Sequence, residues 1–164
     1  MVVGLISLAP GAAEAWPGME TNDRTKLEPK FSARVDELLV ELRAKGYQPR
    51  VAATYRDAAR QQFIFDVGQL LELLGARPMT RARGGQSCHN HRNSDGSAGS
   101  LAADILPAPD LTGPEQAEFF RALGKAANAK GLGWGGNWPR LNPGWKKYGL
   151  GWDPGHVQSA LCHW

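Results

Sequence analysis

Apolar residues recur at helical spacing in three stretches of the chain. The first spans roughly residues 31–45, with charged residues on its other face and Gly46 as a stop. The second is capped by Asp57, and its predicted buried stripe comprises Ala59, Phe63, Val67, Leu70, Leu71 and Leu74. The third follows Thr112, which can form a capping box with Glu115. Its predicted buried face comprises Phe119, Phe120, Leu123, Ala126 and Ala127.

Two short apolar runs predict strands. They cover residues 49–54 and 101–106, and the second carries Asp104. Residues 79–100, between the second helix and this strand, have few apolar positions and predict a long loop. Helices and short strands are mixed without regular alternation, so we expect an α+β fold rather than a doubly wound parallel sheet.

The size and composition of the chain fit an ordinary globular protein. It has 164 residues, of which 42% are apolar and 21% charged, enough to bury one core. We therefore predict a single domain over residues 17–164, and a monomer. The net charge of +3 suits a mildly anionic partner, such as a bacterial cell wall or a nucleic acid, but we favour the interpretation that a charge of this size by itself indicates no partner. The basic residues form no run interleaved with aromatics, which argues against a nucleic-acid partner.

The segment of residues 1–16 is apolar and contains a small-x-small pattern at Ala13-Glu14-Ala15. It is similar to the hydrophobic part and cleavage site of a signal peptide, but it lacks a positively charged leader. A truncated signal peptide and a flexible N-terminal segment remain the two alternatives. No segment approaches the ~20 apolar residues of a transmembrane helix.

Two stretches carry residues suited to metal chemistry. His89 and His91 precede Asp104, and Asp153 lies three residues before His156. Two imidazoles and a carboxylate can hold zinc and leave a coordination position open. Asp104 lies in an otherwise apolar strand, where a carboxylate needs a cation or strong hydrogen-bond donors. The sequence therefore predicts a zinc site.

The two cysteines lie close in sequence to these histidines. Cys88 precedes His89, and Cys162 lies six residues after His156. If both histidines reach one metal, the two thiols are brought into the same neighbourhood. A disulfide, zinc ligation and two unpaired thiols are all open, and the disulfide would imply an oxidising compartment.

The sequence resembles the M15 family of zinc peptidases, which share a fold with D-alanyl-D-alanine carboxypeptidases and the hedgehog signalling domain. Residues 87–90 (SCHN) followed by 101–104 (LAAD) resemble the family's Ser-x-His-Asn-x-Gly-x-Ala-x-Asp motif, and residues 153–156 (DPGH) its Asp-x-x-His motif. Residues 135–138 (GGNW) are similar to its Gly-Gly-Asp-Trp, and residues 54–61 to its Gly-Tyr-Arg-Ser and Arg-Gln segment. The resemblance spans roughly residues 23–158.

The resemblance implies a small antiparallel sheet packed with helices around one zinc site, and a role for each matching residue. The zinc ligands would be His89, Asp104 and His156. Asp153 would be the general base that takes a proton from the attacking water, and Arg56 would hold the substrate or the developing oxyanion. Further substrate-binding candidates are Gln61, Ser87 and Trp138.

This chain departs from the family pattern at two places. The segment HRNSDGSAG separates the histidine from the aspartate, so His91 competes with His89 as the ligand. We favour His89 because it keeps the Ser-x-His-Asn context. The second departure is a long segment, residues 139–152, which carries Trp145 and Tyr148. We expect it to be a packed surface loop rather than a wall of the substrate site.

The resemblance implies zinc-dependent hydrolysis of an amide in the peptide stem of peptidoglycan. An aspartate base and the Gly-Gly-x-Trp element resemble the L-alanyl-D-glutamate endopeptidase branch, which includes phage endolysins. D-alanyl-D-alanine carboxypeptidase or dipeptidase activity is the alternative enzyme, and a non-catalytic hedgehog-like zinc module is the alternative of another class. Action in the periplasm or the extracellular wall would follow, with export by a signal peptide or a phage lysis route both open.

Overall fold

The computed structural model describes residues 18–76, 78–139 and 143–162. Its helices are α1 (Pro29–Ala44), α2 (Ala58–Leu73), α3 (Gly113–Ala129) and the short α4 (Pro143–Lys146). Its strands are β1 (Arg50–Ala53), β2 (Ala102–Leu106), β3 (Gly133–Trp134) and β4 (His156–Gln158). No helix in these ranges is both long and apolar enough to cross a membrane. The signal-like segment, residues 1–16, lies outside the described residues.

The four strands form one antiparallel sheet in the order β1-β2-β4-β3. The later strand β4 is therefore inserted between β2 and β3. In this register Asp104 of β2 lies opposite Ala53 of β1 on one side and His156 of β4 on the other. The α+β class and the small antiparallel sheet predicted from the sequence are confirmed.

The two faces of β2 have different surroundings because side chains alternate along a strand. Ala103 and Ile105 are fully buried and join the main hydrophobic core. Ala102, Asp104 and Leu106 point to the other face, where Ala102 packs beside the two cysteines. One face of the sheet therefore holds the core, and the other holds the polar residues of interest.

Helices α1 and α3 supply the rest of the core, as their apolar spacing predicts. The five predicted residues of α3 are all buried, and Thr112 and Glu115 form the predicted capping box. On α1 the buried positions are Phe31, Val35, Leu38, Leu39 and Leu42. At its start the Glu28 carboxylate accepts a hydrogen bond from the Phe31 N–H at 2.8 Å.

Helix α2 begins after Asp57 as predicted, but the predicted buried stripe is wrong. Leu70 is 58% exposed and Leu74 75% exposed. The buried residues are instead Gln61, Ile64 and Gly68. A Cβ at residue 68 would meet Pro78 at 3.2 Å, so a glycine allows this close contact. Apolar residues occur on several faces of α2, and a polar side chain and a glycine mark the face that packs.

Substitutions on α2 test this assignment of its buried face. Ile64→Ala should lower the free energy of unfolding by about 2–4 kcal/mol, because it removes buried methyl groups. Leu70→Ala, on the exposed face, should change it by less than about 0.5 kcal/mol. Urea denaturation of both variants measures the difference. Equal losses would show that α2 packs through the stripe predicted from its sequence.

Candidate metal centre

The structure brings His89, Asp104 and His156 together. One nitrogen or oxygen atom from each lies within 4.8 Å of the other two. The residues come from three elements: a 3₁₀ turn (Cys88–Asn90), β2 and β4. Oδ1 of Asp104 lies 3.4 Å from Nε2 of His89 and 3.0 Å from Nδ1 of His156. The carboxylate therefore lies between the two imidazoles.

Local hydrogen bonds fix the orientation of His89. The Ser87 hydroxyl accepts from the His89 N–H at 3.3 Å and caps the turn. The ring of His89 is buried, and its Nδ1 is in hydrogen-bond contact with the carbonyl oxygen of Thr54. Since a carbonyl can only accept, Nδ1 carries the proton and Nε2 presents its lone pair towards Asp104.

Gln158 orients the second histidine. Its Oε1 lies 3.1 Å from Nε2 of His156. If Nε2 donates to this amide oxygen, the lone pair of Nδ1 points to Asp104. Gln158 was not among the predicted site residues. Its position two residues after His156, on the same face of a strand, is the sequence signal that could have identified it.

This donor set fits a zinc ion. Two imidazole nitrogens and a carboxylate oxygen are ligand types that zinc accepts, and three protein ligands leave a position for substrate or water. The remaining nitrogen of each imidazole contacts a carbonyl-type oxygen, which is the usual outer support of a metal-binding histidine. His89 Nε2, His156 Nδ1 and Asp104 would hold the ion.

The electrostatics of the cluster keep Asp104 charged. Burial by itself would raise the pKa of Asp104, but the two neighbouring imidazoles outweigh it and hold this pKa well below its usual value. Burial would lower the pKa of His156, but the hydrogen bond and charge of Asp104 raise it overall, and the charge of Asp153 adds to this effect. The cluster thus keeps an anionic ligand beside the two imidazoles, as a site for a cation requires.

Arg56 lies at the edge of the site and is held by two side chains. Its Nε donates to Oε1 of Glu20 at 2.9 Å, and its Nη1 donates to Oε1 of Gln61 at 2.9 Å. Glu20 also contacts Arg60 at 3.7 Å. Sequence reasoning missed Glu20, because its bridge to Arg56 joins positions far apart in sequence.

Gln61 does not occupy the substrate-contacting place expected of it. It is fully buried, and its Nε2 donates to the carbonyl of Ala82 at 2.7 Å and to the hydroxyl of Thr80 at 3.1 Å. Its Oε1 accepts from Arg56, so the amide is occupied by protein partners at both ends. Gln61 therefore positions Arg56.

A cleft of ≈ 1080 Å³ contains the cluster. Its walls include Arg56, Ser87, Trp138 and Asp153. The Trp138 ring lies 5.1 Å from the His156 ring and is 36% exposed, so it offers an apolar surface beside the cluster. Of the three substrate-binding candidates, Ser87 and Trp138 line this cleft.

The turn that carries Asp153 depends on a glycine. The Asp153 N–H donates to the carbonyl of Gly135 at 3.3 Å, and the His156 N–H donates to the carbonyl of Asp153 at 3.1 Å. A Cβ at residue 135 would lie 2.2 Å from the Asp153 carbonyl oxygen. Glycine at this position therefore lets the 3₁₀ turn (Gly135–Asn137) pack against the turn that precedes β4.

His91 lies outside the cluster. Its Nδ1 is 2.7 Å from the carbonyl oxygen of Gly99. The inserted segment folds back on itself, with a bridge between Arg92 and Ala98 and a hydrogen bond of 2.9 Å from the Asn93 N–H to the Ser97 carbonyl. The insertion is thus a small hairpin, and His89 keeps its place against Asp104.

The two cysteines are joined by a disulfide with a Cα–Cα distance of 5.8 Å. Cys88 belongs to the 3₁₀ turn of His89, and both cysteines line the cleft. Sγ of Cys88 also lies 3.6 Å from Oε1 of Gln158. The bond therefore ties the turn of one histidine to the segment that follows the strand of the other.

The aromatic segment before Asp153 packs on the core. The Trp145 ring contacts Phe120 with centroids 5.1 Å apart, and Tyr148 lies 6.0 Å from Trp145. Both side chains pack against the main hydrophobic core. Trp145 and Tyr148 are thus packed as predicted. Pro139 and Trp152 of the same segment line the metal cleft, so part of the segment does form a wall of the candidate site.

Solved structures of known proteins share this fold. VanYB in complex with D-alanine-D-alanine superposes with a TM-score of 0.55 and 22% identity, over 81% of this chain and 71% of VanYB. A mutant of the vancomycin resistance D,D-pentapeptidase VanY in complex with Zn(II) superposes with a TM-score of 0.54 and 22% identity, over 81% of this chain and 72% of the VanY chain. The structure of the LdcB LD-carboxypeptidase, described as revealing the molecular basis of peptidoglycan recognition, superposes with a TM-score of 0.51 and 18% identity, over 81% of this chain and 58% of the LdcB chain. No protein-family model and no curated protein matches the chain.

These neighbours confirm the fold that the M15 resemblance predicts. Their identities of 18–22% establish a shared architecture, while the roles of individual residues here rest on this chain's own geometry.

Histidine substitutions test the ligand set. His89→Ala should abolish stoichiometric zinc binding, because it removes one of three ligands. His91→Ala should retain it, because His91 contacts the hairpin instead of the cluster. Zinc content measured by native mass spectrometry and affinity measured by calorimetry give the comparison. Loss of zinc in His91→Ala with retention in His89→Ala would reverse the assignment.

Removal of the disulfide tests its contribution to stability and to zinc binding. The double variant Cys88→Ser, Cys162→Ser should lose about 2–4 kcal/mol of unfolding free energy, since the bond closes a long loop. Zinc affinity should fall as well, because the turn of His89 loses its tie to the segment after β4. Thermal melting and zinc titration measure both effects, with Ser97→Ala on the exposed hairpin as a control. Unchanged stability would show that the strand pairing alone holds the two segments.

Proposed function

We propose that this protein hydrolyses an amide bond in the peptide stem of peptidoglycan and that it depends on zinc. The observation that carries the proposal is the cluster of His89, Asp104 and His156 in an open cleft that also contains Asp153 and Arg56. A bound zinc ion supplies Lewis acidity, which polarises a carbonyl and acidifies water.

Asp153 is proposed as the general base. It is half-buried in the wall of the cleft and close enough to His156 for its charge to raise the pKa of that imidazole. A carboxylate in this position accepts a proton from the attacking water and can pass it to the leaving amine.

Arg56 is proposed to bind the substrate carbonyl or carboxylate. Arg56 lines the cleft, and Glu20 and Gln61 hold its guanidinium in place by hydrogen bonds. A preorganised cation stabilises the developing oxyanion more than the neutral carbonyl, so it lowers the barrier instead of only improving binding.

Two bonds of the stem are candidates for cleavage. The L-Ala–D-Glu bond is favoured by the aspartate base and by the glycine-tryptophan element at residues 135–138, which resemble the endopeptidase branch. Release of a terminal D-alanine is favoured by the structural neighbours, whose names record complexes with D-Ala-D-Ala and carboxypeptidase activity. The site would act on the outer side of the cell membrane, where these substrates occur.

Mass spectrometry of purified muropeptides, incubated with the protein and zinc or with a chelator, tests the proposal. A new amino terminus on D-glutamate would identify the endopeptidase, and loss of D-alanine would identify the carboxypeptidase. Asp153→Ala should retain zinc and lose at least about a hundred-fold in turnover, because it removes the base. Intact muropeptides from zinc-loaded protein would instead favour a binding module without catalytic activity.

A further inference from the structure

A second cavity adjoins the metal cleft. It has a volume of ≈ 570 Å³, about half that of the cleft. Met79, Trp152 and Asp153 line both cavities, so the two lie side by side with these residues at their border. Met79 is 53% exposed, and a flexible thioether at the junction can adapt to a ligand that passes it.

The sheet register places the two cavities side by side. Asp104 and Leu106 lie on the same face of β2, and Asp104 lines the cleft while Leu106 lines the second cavity. Two residues along a strand correspond to about 7 Å. An extended peptide held at the cluster therefore needs only about two residues to reach the second cavity.

The lining of the second cavity combines apolar side chains with one cation, Arg50, and with one carboxylate, Asp153, at the border with the cleft. Phe120, Trp145 and several prolines form the apolar part. Arg50 is paired with Leu106 across the sheet, and its Nε donates to the carbonyl of Pro107 at 3.3 Å. Within the described part of the chain, no carboxylate lies within ion-pair distance of Arg50. Its charge is thus available to a ligand at the mouth of an apolar cavity.

We propose that this second cavity is a substrate subsite, which receives a small apolar side chain of the stem peptide and binds the adjacent carboxylate through Arg50. The proposal rests on the proposed function and adds a specificity determinant to it. Stem peptides carry carboxylates that are present in some walls as amides. Arg50 would then make this protein discriminate between the free and the amidated stem.

Binding to a form that does not cleave tests this subsite separately from catalysis. The parent protein is zinc-loaded Asp153→Ala, and the probe is the tetrapeptide L-Ala-γ-D-Glu-L-Lys-D-Ala with its carboxyls either free or amidated. In this background, Arg50→Gln should weaken binding of the free peptide about ten-fold, because it removes one charged hydrogen bond. Binding of the amidated peptide should not change. Calorimetry gives all four dissociation constants, which form a double-mutant cycle.

Two further variants control for general effects. Arg43→Gln removes an exposed positive charge from α1 at a residue that lines neither cavity, and should leave both affinities unchanged. Ala108→Trp should fill part of the second cavity and weaken the binding of both peptides, while the zinc content of the protein stays the same. Equal effects of Arg50→Gln on the two peptides would overturn the proposal. Undetectable binding of the free peptide to the parent protein would also overturn it.

The proposed function can fail independently of this subsite. It fails when the zinc-loaded protein without substitutions leaves muropeptides intact. If cleavage occurs but the cycle shows no coupling between Arg50 and the carboxylates, the catalytic proposal stands and the subsite does not. If coupling occurs without cleavage, the subsite stands as part of a peptide-binding module.

Discussion

The structure depends on a carboxylate placed in the middle of an apolar strand. Asp104 lies in the sheet between fully buried Ala103 and Ile105, where a lone charge would be costly. Two imidazoles from neighbouring elements compensate this cost, and the strand pairing with β4 delivers one of them directly opposite Asp104. The register of the sheet and the composition of the site are therefore parts of the same arrangement.

The supports of this cluster are mostly backbone carbonyls and amide side chains. Thr54 and Gln158 determine which nitrogen of each histidine faces Asp104, while Glu20 and Gln61 determine the position of Arg56. None of these residues needs to touch a substrate, yet each decides where a functional atom points. A substitution at any of them is expected to act on the site through geometry.

The sequence allowed α1, α3 and the two longer strands to be predicted, because apolar spacing and caps agree there. It also identified the residues of the cluster, although they lie up to 67 positions apart. The packing face of α2 could not be predicted, because its apolar residues are spread around the helix. In addition, the buried face contains Gln61, a polar residue whose hydrogen bonds are formed only in the folded protein. Glu20 was missed for a related reason: its role exists only through a contact with Arg56 made in three dimensions.

Because β4 lies between β2 and β3, the metal centre can form only after the sheet has folded with the correct strand pairing. His156 meets Asp104 only when two segments 52 residues apart have paired in the correct register, and a shift by one residue would turn His156 towards the core. Such distant pairings form slowly compared with helices. A chain whose helices have formed but whose strands are mispaired would thus contain all the ligand residues, but they would not be close enough together to bind a metal ion. Zinc uptake can therefore report the completion of the tertiary structure, at a stage that helix content alone does not distinguish.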